Sequence, residues 1–175
     1  MSYAMKIRLP DDRTKLGQLQ IEDTLVGVAV FGPISCYGKA DSGTARTNGN
    51  TTRDPRQPFG DTPLGGYDVT GTMGPDDARY GQFARLVLVG KSGDAVLRES
   101  HDPHLRIHGG PISLGAALLR PTNGCVRVLD VDMKQLLDFI SANMQFPFSL
   151  VIDEGSDFPL IDGGDDDGYF DPNGA

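Results

Sequence analysis

Two residues in the segments LRIHGGPISLG (105–115) and RPTNGCVR (120–127) have the types that nucleophilic chemistry needs. His108 ends a short apolar run, and Cys125 follows seventeen residues later inside an Asn-Gly turn. A thiol is a poor nucleophile until ionised, and a nearby imidazole can take its proton or hold the thiolate as an ion pair. A tight turn presenting Cys125 at a strand edge would also point the backbone N–H groups of Asn123, Gly124 and Cys125 into one small concavity, suited to the oxyanion of an acyl-transfer intermediate. Composition and spacing alone leave a second reading open, in which Cys125 is a small buried hydrophobe and His108-Gly109 a plain strand end.

The elements that must hold these residues are mostly strands. LVGVAVF (25–31) is short and β-branched and ends at Gly32-Pro33, which predicts a buried strand that resumes through 34–37. Further strands are expected near 6–9, at GYDVTGT (66–72) and at FSLVI (148–152). RLVLV (85–89), the turn at 90–94 and AVL (95–97) read as a hairpin, and Asp76 with Asp77 as the opening of a short helical turn. One helix is expected, with Asp130 as N-cap and Met133, Leu136, Leu137, Ile140 and Met144 on one face. With 23 Gly and 12 Pro, the chain suits a loop-rich, mostly β (α+β) fold with one or two short helices. One domain is expected over 20–153, between an N-terminal segment 1–19 and an acidic, irregular tail 154–175. The polar stretch 38–60 lacks any period and is expected to be a lid.

Net charge is −8, with 16 Lys and Arg against 24 Asp and Glu and no basic run long enough to track phosphates, which argues against nucleic acid. Much of the acidity sits at Asp162, Asp165, Asp166, Asp167 and Asp171, a stretch without the ligand alternation of a calcium loop. Two cysteines make neither a disulfide framework nor a zinc cluster, so no metal or other cofactor is expected. No apolar run approaches the ~20 residues that span a bilayer, so no membrane insertion is expected.

At His108-Gly109 and Thr122-Asn123-Gly124-Cys125-Val126-Arg127 the chain resembles the L,D-transpeptidase catalytic domain (YkuD-like), whose signature is His-Gly followed by Ser-x-Gly-Cys-x-Arg. Thr62-Pro63-Leu64-Gly65-Gly66-Tyr67 is similar to a second family stretch, Leu114-Gly115 to a third, and Asp130 or Asp132 leading into a helix to a fourth. The resemblance covers roughly residues 20–152. It implies a β-sandwich of mixed strands and a cysteine enzyme acting on peptidoglycan stem peptides. Cys125 would attack the carbonyl before a terminal D-amino acid, with His108 as base. An amine, a free D-amino acid or water would then resolve the thioester, giving transpeptidation, exchange or L,D-carboxypeptidation. Asn123, Gly124, Gly109 and Thr122 would support the site, and Thr62, Pro63 and Arg127 would contact substrate, Arg127 with bracing of the turn as its other reading.

Many family members carry a His where Asn123 stands. That departure keeps a non-enzymatic alternative open, a peptidoglycan-binding pseudoenzyme. His104 falls on the same strand face as His108 by its even offset, but Pro103 interrupts the run, and neither it nor His101 is expected to be catalytic. Cys36 is a rival nucleophile because Cys before His is the order of papain-like peptidoglycan amidases; YGKADSG after it makes a poor helix, so a core strand is the expected role. The implied substrate lies in the periplasm or cell envelope, whereas MSYAMKIRLPDDRTK lacks the apolar core of a signal peptide. The expectation is an interbacterial effector delivered by a dedicated (type VI-like) secretion machinery and neutralised by an immunity protein, against a housekeeping enzyme with a separate leader.

Overall fold

Alternation of apolar and polar residues builds the sheet. In the computed structural model, which describes residues 2–110 and 119–155, Met5, Ile7 and Leu9 are buried while Lys6 and Arg8 face out along strand β1 (Tyr3–Leu9). Leu19 and Ile21 do the same on β2 (Gly17–Asp23), between outward Gln18 and Gln20. The sheet continues with β3 (Val28–Tyr37), β4 (Gly65–Met73), β5 (Arg85–Gly90), β6 (Arg106–His108), β7 (Val126–Val128) and β8 (Phe148–Glu154). Their order around the sheet is β1-β2-β3-β7-β6-β5-β4-β8, closed by β1 running parallel to β8 with Met5 opposite Leu150.

The fold is therefore mostly β with few helices, and its strands form a closed eight-stranded barrel instead of the expected sandwich. The reason is β1, which pairs with β2 on one side and β8 on the other and leaves no edge. The sheet runs without a break through residue 19, since β1 and β2 are consecutive staves.

Three expectations change in detail. The run at 25–31 is not a buried strand: Leu25 and Val26 lie in the turn at 75% and 69% exposure, and Val28 and Val30 are exposed on β3. That half of β3 pairs only with β2, and the strand runs on past Gly32-Pro33 until Cys36 and Tyr37 turn inward against β7. Residues 95–97 are not the second arm of a hairpin but part of helix α2 (Asp94–Glu99). The chain turns at Gly93 (φ 65°), Ala95 N–H donates to the Leu64 carbonyl, and β6 takes the place beside β5. The stretch 38–60 contains helix α1 (Ser42–Thr47), capped by the Asp41 carboxylate, which accepts from Thr44 N–H at 2.6 Å.

Helix α3 (Asp130–Asn143) buries Met133, Leu136 and Ile140 as its spacing predicts, with Leu137 half-buried and Met144 at its C-cap. Its N-cap is Leu129, not Asp130. The Asp130 carboxylate is engaged elsewhere: Oδ1 accepts from Gly110 N–H at 2.9 Å and Oδ2 from Gln82 N–H at 3.3 Å. Asp77 opens a 3-10 turn at Ala78–Tyr80, in keeping with the acidic pair at 76–77.

Candidate active site

The parallel pairing of β6 with β7 sets the site. Ile107 lies opposite Val126 and His108 opposite Arg127. Ile107, Val126 and Val128 are fully buried in the core, so by the two-residue period His108, Arg127 and Cys125 share the other face. Cys125 lies one strand across and two residues back from His108, a Cα separation of about 8 Å by ladder geometry. Both side chains line one cleft of about 600 Å³.

His108 is 1% exposed and held from two sides. Its Nδ1 lies 2.6 Å from the Gly109 carbonyl, which makes Nδ1–H the donor and leaves Nε2 unprotonated as a proton acceptor. The Tyr80 ring meets the imidazole edge-on at 5.0 Å, and Arg85 lies over Tyr80 at 4.3 Å. The step after His108 admits only glycine: a Cβ at Gly109 would fall 1.9 Å from Asp130 Oδ1. Asp130 thus clamps the strand end beside His108.

The Cys125 loop is fixed through its carbonyl groups. Cys125 O accepts from Thr122 Oγ1 at 2.7 Å and from Thr62 Oγ1 at 3.1 Å. Thr122 is tied to residues 39–41, its N–H donating to the Lys39 carbonyl and its carbonyl accepting from Asp41 N–H. Gly124 has φ 113°, and a Cβ there would press on Arg98 and Leu105. Its N–H donates to Thr122 Oγ1 at 3.2 Å, so this one of the three N–H groups expected to face an oxyanion makes a bond within the loop.

Arg98, on α2, is 0% exposed and organises the same loop. Its guanidinium donates to the carbonyls of Asn123 (2.9 Å), Pro55 (3.5 Å) and Gln57, and to Asp102 Oδ2 (3.0 Å). Sequence reasoning missed this residue; its partners are scattered from 55 to 123, and a lone Arg in an apparent strand carries no signal.

Burial pushes the His108 pKa down to about 3, with the positive charges of Arg127 and Arg85 acting in the same direction against the Gly109 hydrogen bond. Burial also pushes the half-buried Cys125 thiol up, opposed by the Arg106 N–H and by the charges of Arg106, Arg98 and Arg127. The resting pair is thiol and neutral imidazole. An ion pair would have to form as substrate arrives.

Matches to known structures follow this geometry. No protein-family model matches the chain, and no curated protein sequence matches it. Among solved structures, Bd1075 of Bdellovibrio bacteriovorus superposes with a TM-score of 0.52 at 13% identity, over 86% of this chain and 47% of that one. The two share a fold. The helical cell shape determining protein Pgp2 of Campylobacter jejuni superposes at a TM-score of 0.48 and 14% identity, over 90% of this chain and 50% of that one. The chain thus spans about half the length of the solved structures it matches.

Of the residues singled out in the sequence, Cys125, His108, Arg127, Thr122 and Asn123 line the cleft together. Thr62 and Pro63 do not: both are buried, Thr62 behind the Cys125 carbonyl and Pro63 with its own carbonyl accepting from Tyr67 Oη at 2.6 Å. Thr62 thus braces the Cys125 loop from behind, at a position expected to contact substrate. The Arg127 guanidinium reaches the Arg79 carbonyl at 3.5 Å and would lie 3.4 Å from a Cβ at Gly110, a bracing position at the cleft floor. Cys36 is wholly buried in the core, and burial raises its pKa far above the thiol range, which removes it as a rival nucleophile. Both cysteines are free.

Asp41, Thr44 and Phe59 from the stretch 38–60 form one wall of the cleft. That stretch is knitted to itself by buried Asn50, whose amide donates to the carbonyls of Asp54 (3.0 Å) and Pro58 (3.1 Å). His101 points to the end of α2, its Nδ1 2.9 Å from the Leu97 carbonyl. His104, from which little was expected, lines the cleft. Leu114-Gly115 and the acidic tail from 156 onward lie outside the described residues. Among the described residues no cluster of His, Cys, Asp or Glu fit to hold a metal ion occurs, and no helix is long and apolar enough to cross a membrane.

Proposed function

We propose that the chain is a cysteine acyl-transferase acting on peptidoglycan stem peptides in the cell envelope. The observation that carries the reading is the placement of Cys125 and His108 on one face of the paired strands β6 and β7, with the imidazole tautomer fixed to leave Nε2 as base. The motif resemblance at 108–109 and 122–127 supplies the substrate class, and the fold shared with Bd1075 is compatible with it.

In the proposed reaction the Cys125 thiol gives its proton to His108 as sulfur bonds to the carbonyl carbon before a terminal D-amino acid. The C–N bond breaks, and the amine leaves with the proton that His108 carried. Because His108 is held far below its ordinary pKa, its imidazolium is a strong acid and returns that proton readily. Arg127 beside the pair makes the thiolate more favourable and the imidazolium less so. The thioester then passes to an amine, a free D-amino acid or water.

The test is intact mass spectrometry of purified tetrapeptide muropeptides incubated with wild type and Cys125→Ser. Loss of the D-residue, its exchange or a crosslinked dimer is expected with wild type only. Unchanged muropeptides with wild type would refute catalysis and favour a peptidoglycan-binding module.

A further inference from the structure

A second imidazole lines the cleft that holds Cys125. The His104 backbone carbonyl lies 3.8 Å from Cys125 Sγ, and the His104 side chain, 75% exposed, lines the mouth of the cleft that His108 lines from within. His104 Nδ1 lies 2.8 Å from Asp102 Oδ1, so Nδ1 carries the donated hydrogen and Nε2 is open. The other carboxylate oxygen, Asp102 Oδ2, is held at 3.0 Å by the buried Arg98, which also fixes the nucleophile's loop at the Asn123 carbonyl. One arginine therefore sets the position of both the Cys125 turn and the carboxylate behind His104. Pro103, with its fixed φ, joins Asp102 to His104 and limits how far the pair can drift.

Resting on the acyl-transfer reading above, we infer that His104, oriented by Asp102, is the proton carrier of the second half-reaction, in which the acceptor attacks the thioester. An acceptor coming from solvent meets the exposed His104 before the buried His108. In this step the acceptor N–H or O–H gives its proton to His104 Nε2 while its nitrogen or oxygen bonds to the carbonyl carbon. The C–S bond then breaks, and the proton on His104 passes to the departing sulfur to restore the thiol. Acylation and deacylation so use two different histidines, one buried and one exposed. The carboxylate is ready for this work: burial raises the Asp102 pKa, but the hydrogen bonds from His104 and Arg98 outweigh it and keep the group ionised. Asp102 acts through His104 and is a positioning residue.

The experiment compares wild type with His104→Gln on a purified disaccharide-tetrapeptide muropeptide, following released D-amino acid and the mass of the protein. Since His104 is exposed, the variant should unfold at the wild-type temperature. Expected is a burst of one D-residue per Cys125 at close to the wild-type rate, an acyl adduct that accumulates on the protein, and steady-state turnover lower by about 100-fold. Added imidazole should speed the decay of that adduct. Steady-state turnover equal to wild type, or burst and turnover falling by the same factor with no adduct, would overturn the inference while leaving the cysteine reading intact. No release of D-amino acid with wild type, in the burst or in the steady state, would overturn both.

Discussion

Replacing Arg98 by Lys tests how the loop that carries Cys125 is held. The guanidinium reaches four acceptors, the carbonyls of Asn123, Pro55 and Gln57 and the Asp102 carboxylate, from a fully buried position. A lysine keeps the charge but ends in a compact ammonium that cannot span acceptors on two sides of a planar fork. Two of the four bonds should be lost. At about 1.5–3 kcal/mol for a hydrogen bond to a charged group, the cost is about 3–6 kcal/mol, the lower end applying because Asp102 is partly exposed and water can replace its partner. A domain of ordinary stability, about 5–15 kcal/mol, stays folded through a loss at that lower end. Urea unfolding measures the change, and the rate of Cys125 alkylation reports the loop, because Asn123 is two residues from the sulfur-bearing position. Arg56→Met removes an exposed ion pair with Asp54 and should leave both readouts at wild-type values. If Arg98→Lys unfolds within about 0.5 kcal/mol of wild type, a margin no wider than an ordinary surface substitution, and Cys125 labels at its original rate, the reasoning fails.

Two further outcomes follow from burial. The unfolded chain protonates His108 near its ordinary pKa of 6.5 while the folded chain resists until about 3, so this group's share of stability is present above pH 6.5 and is lost as pH falls through that window. Between pH 7.5 and pH 4 wild type should therefore lose on the order of 3 kcal/mol more than His108→Gln, read by urea titration at both pH values; equal losses would show that the imidazole is not held neutral by the fold. Iodoacetamide should label one cysteine per native chain, Cys125, with a rate that rises with pH, and two after unfolding. Peptide mapping that finds Cys36 labelled as fast as Cys125 in the native protein would contradict its place in the core.

How much of this was legible in the sequence depends on how far each residue's partners lie. The strands at 65–73, 85–90 and 148–154 and the α3 face of Met133, Leu136 and Ile140 show in local periodicity alone. The strand Gly17–Asp23 did not, because only Leu19 and Ile21 carry its apolar alternation. Residues 95–97 are apolar enough to pass for a strand, and the Gly93 turn and the Leu64 carbonyl set them in a helix. At the site, residue type and spacing marked His108 and Cys125 as candidates, and the structure sets both in one cleft. The roles of Asp130 and Arg98 were not so marked, since the first depends on a contact with Gly110 across the cleft rim and the second on four distant acceptors. Thr62 illustrates the middle case: its motif was visible, but its hydroxyl serves the Cys125 carbonyl 63 positions away.

Closure of the barrel between β1 and β8 also governs how the protein can be made. The first stave to leave the ribosome pairs on its free side with the last, Lys6 opposite Val151 and Leu9 opposite Glu154. Until β8 emerges, β1 keeps a bare row of amide and carbonyl groups, and the sheet that carries His108 and Cys125 is an open ribbon. Closure must wait for the whole stretch from β1 to β8, with contacts of high sequence separation forming late and an adhesive edge exposed meanwhile. Synthesis therefore passes through an open, aggregation-prone precursor, and the seam at β1 and β8 is where a chaperone or a translational pause would have its greatest effect.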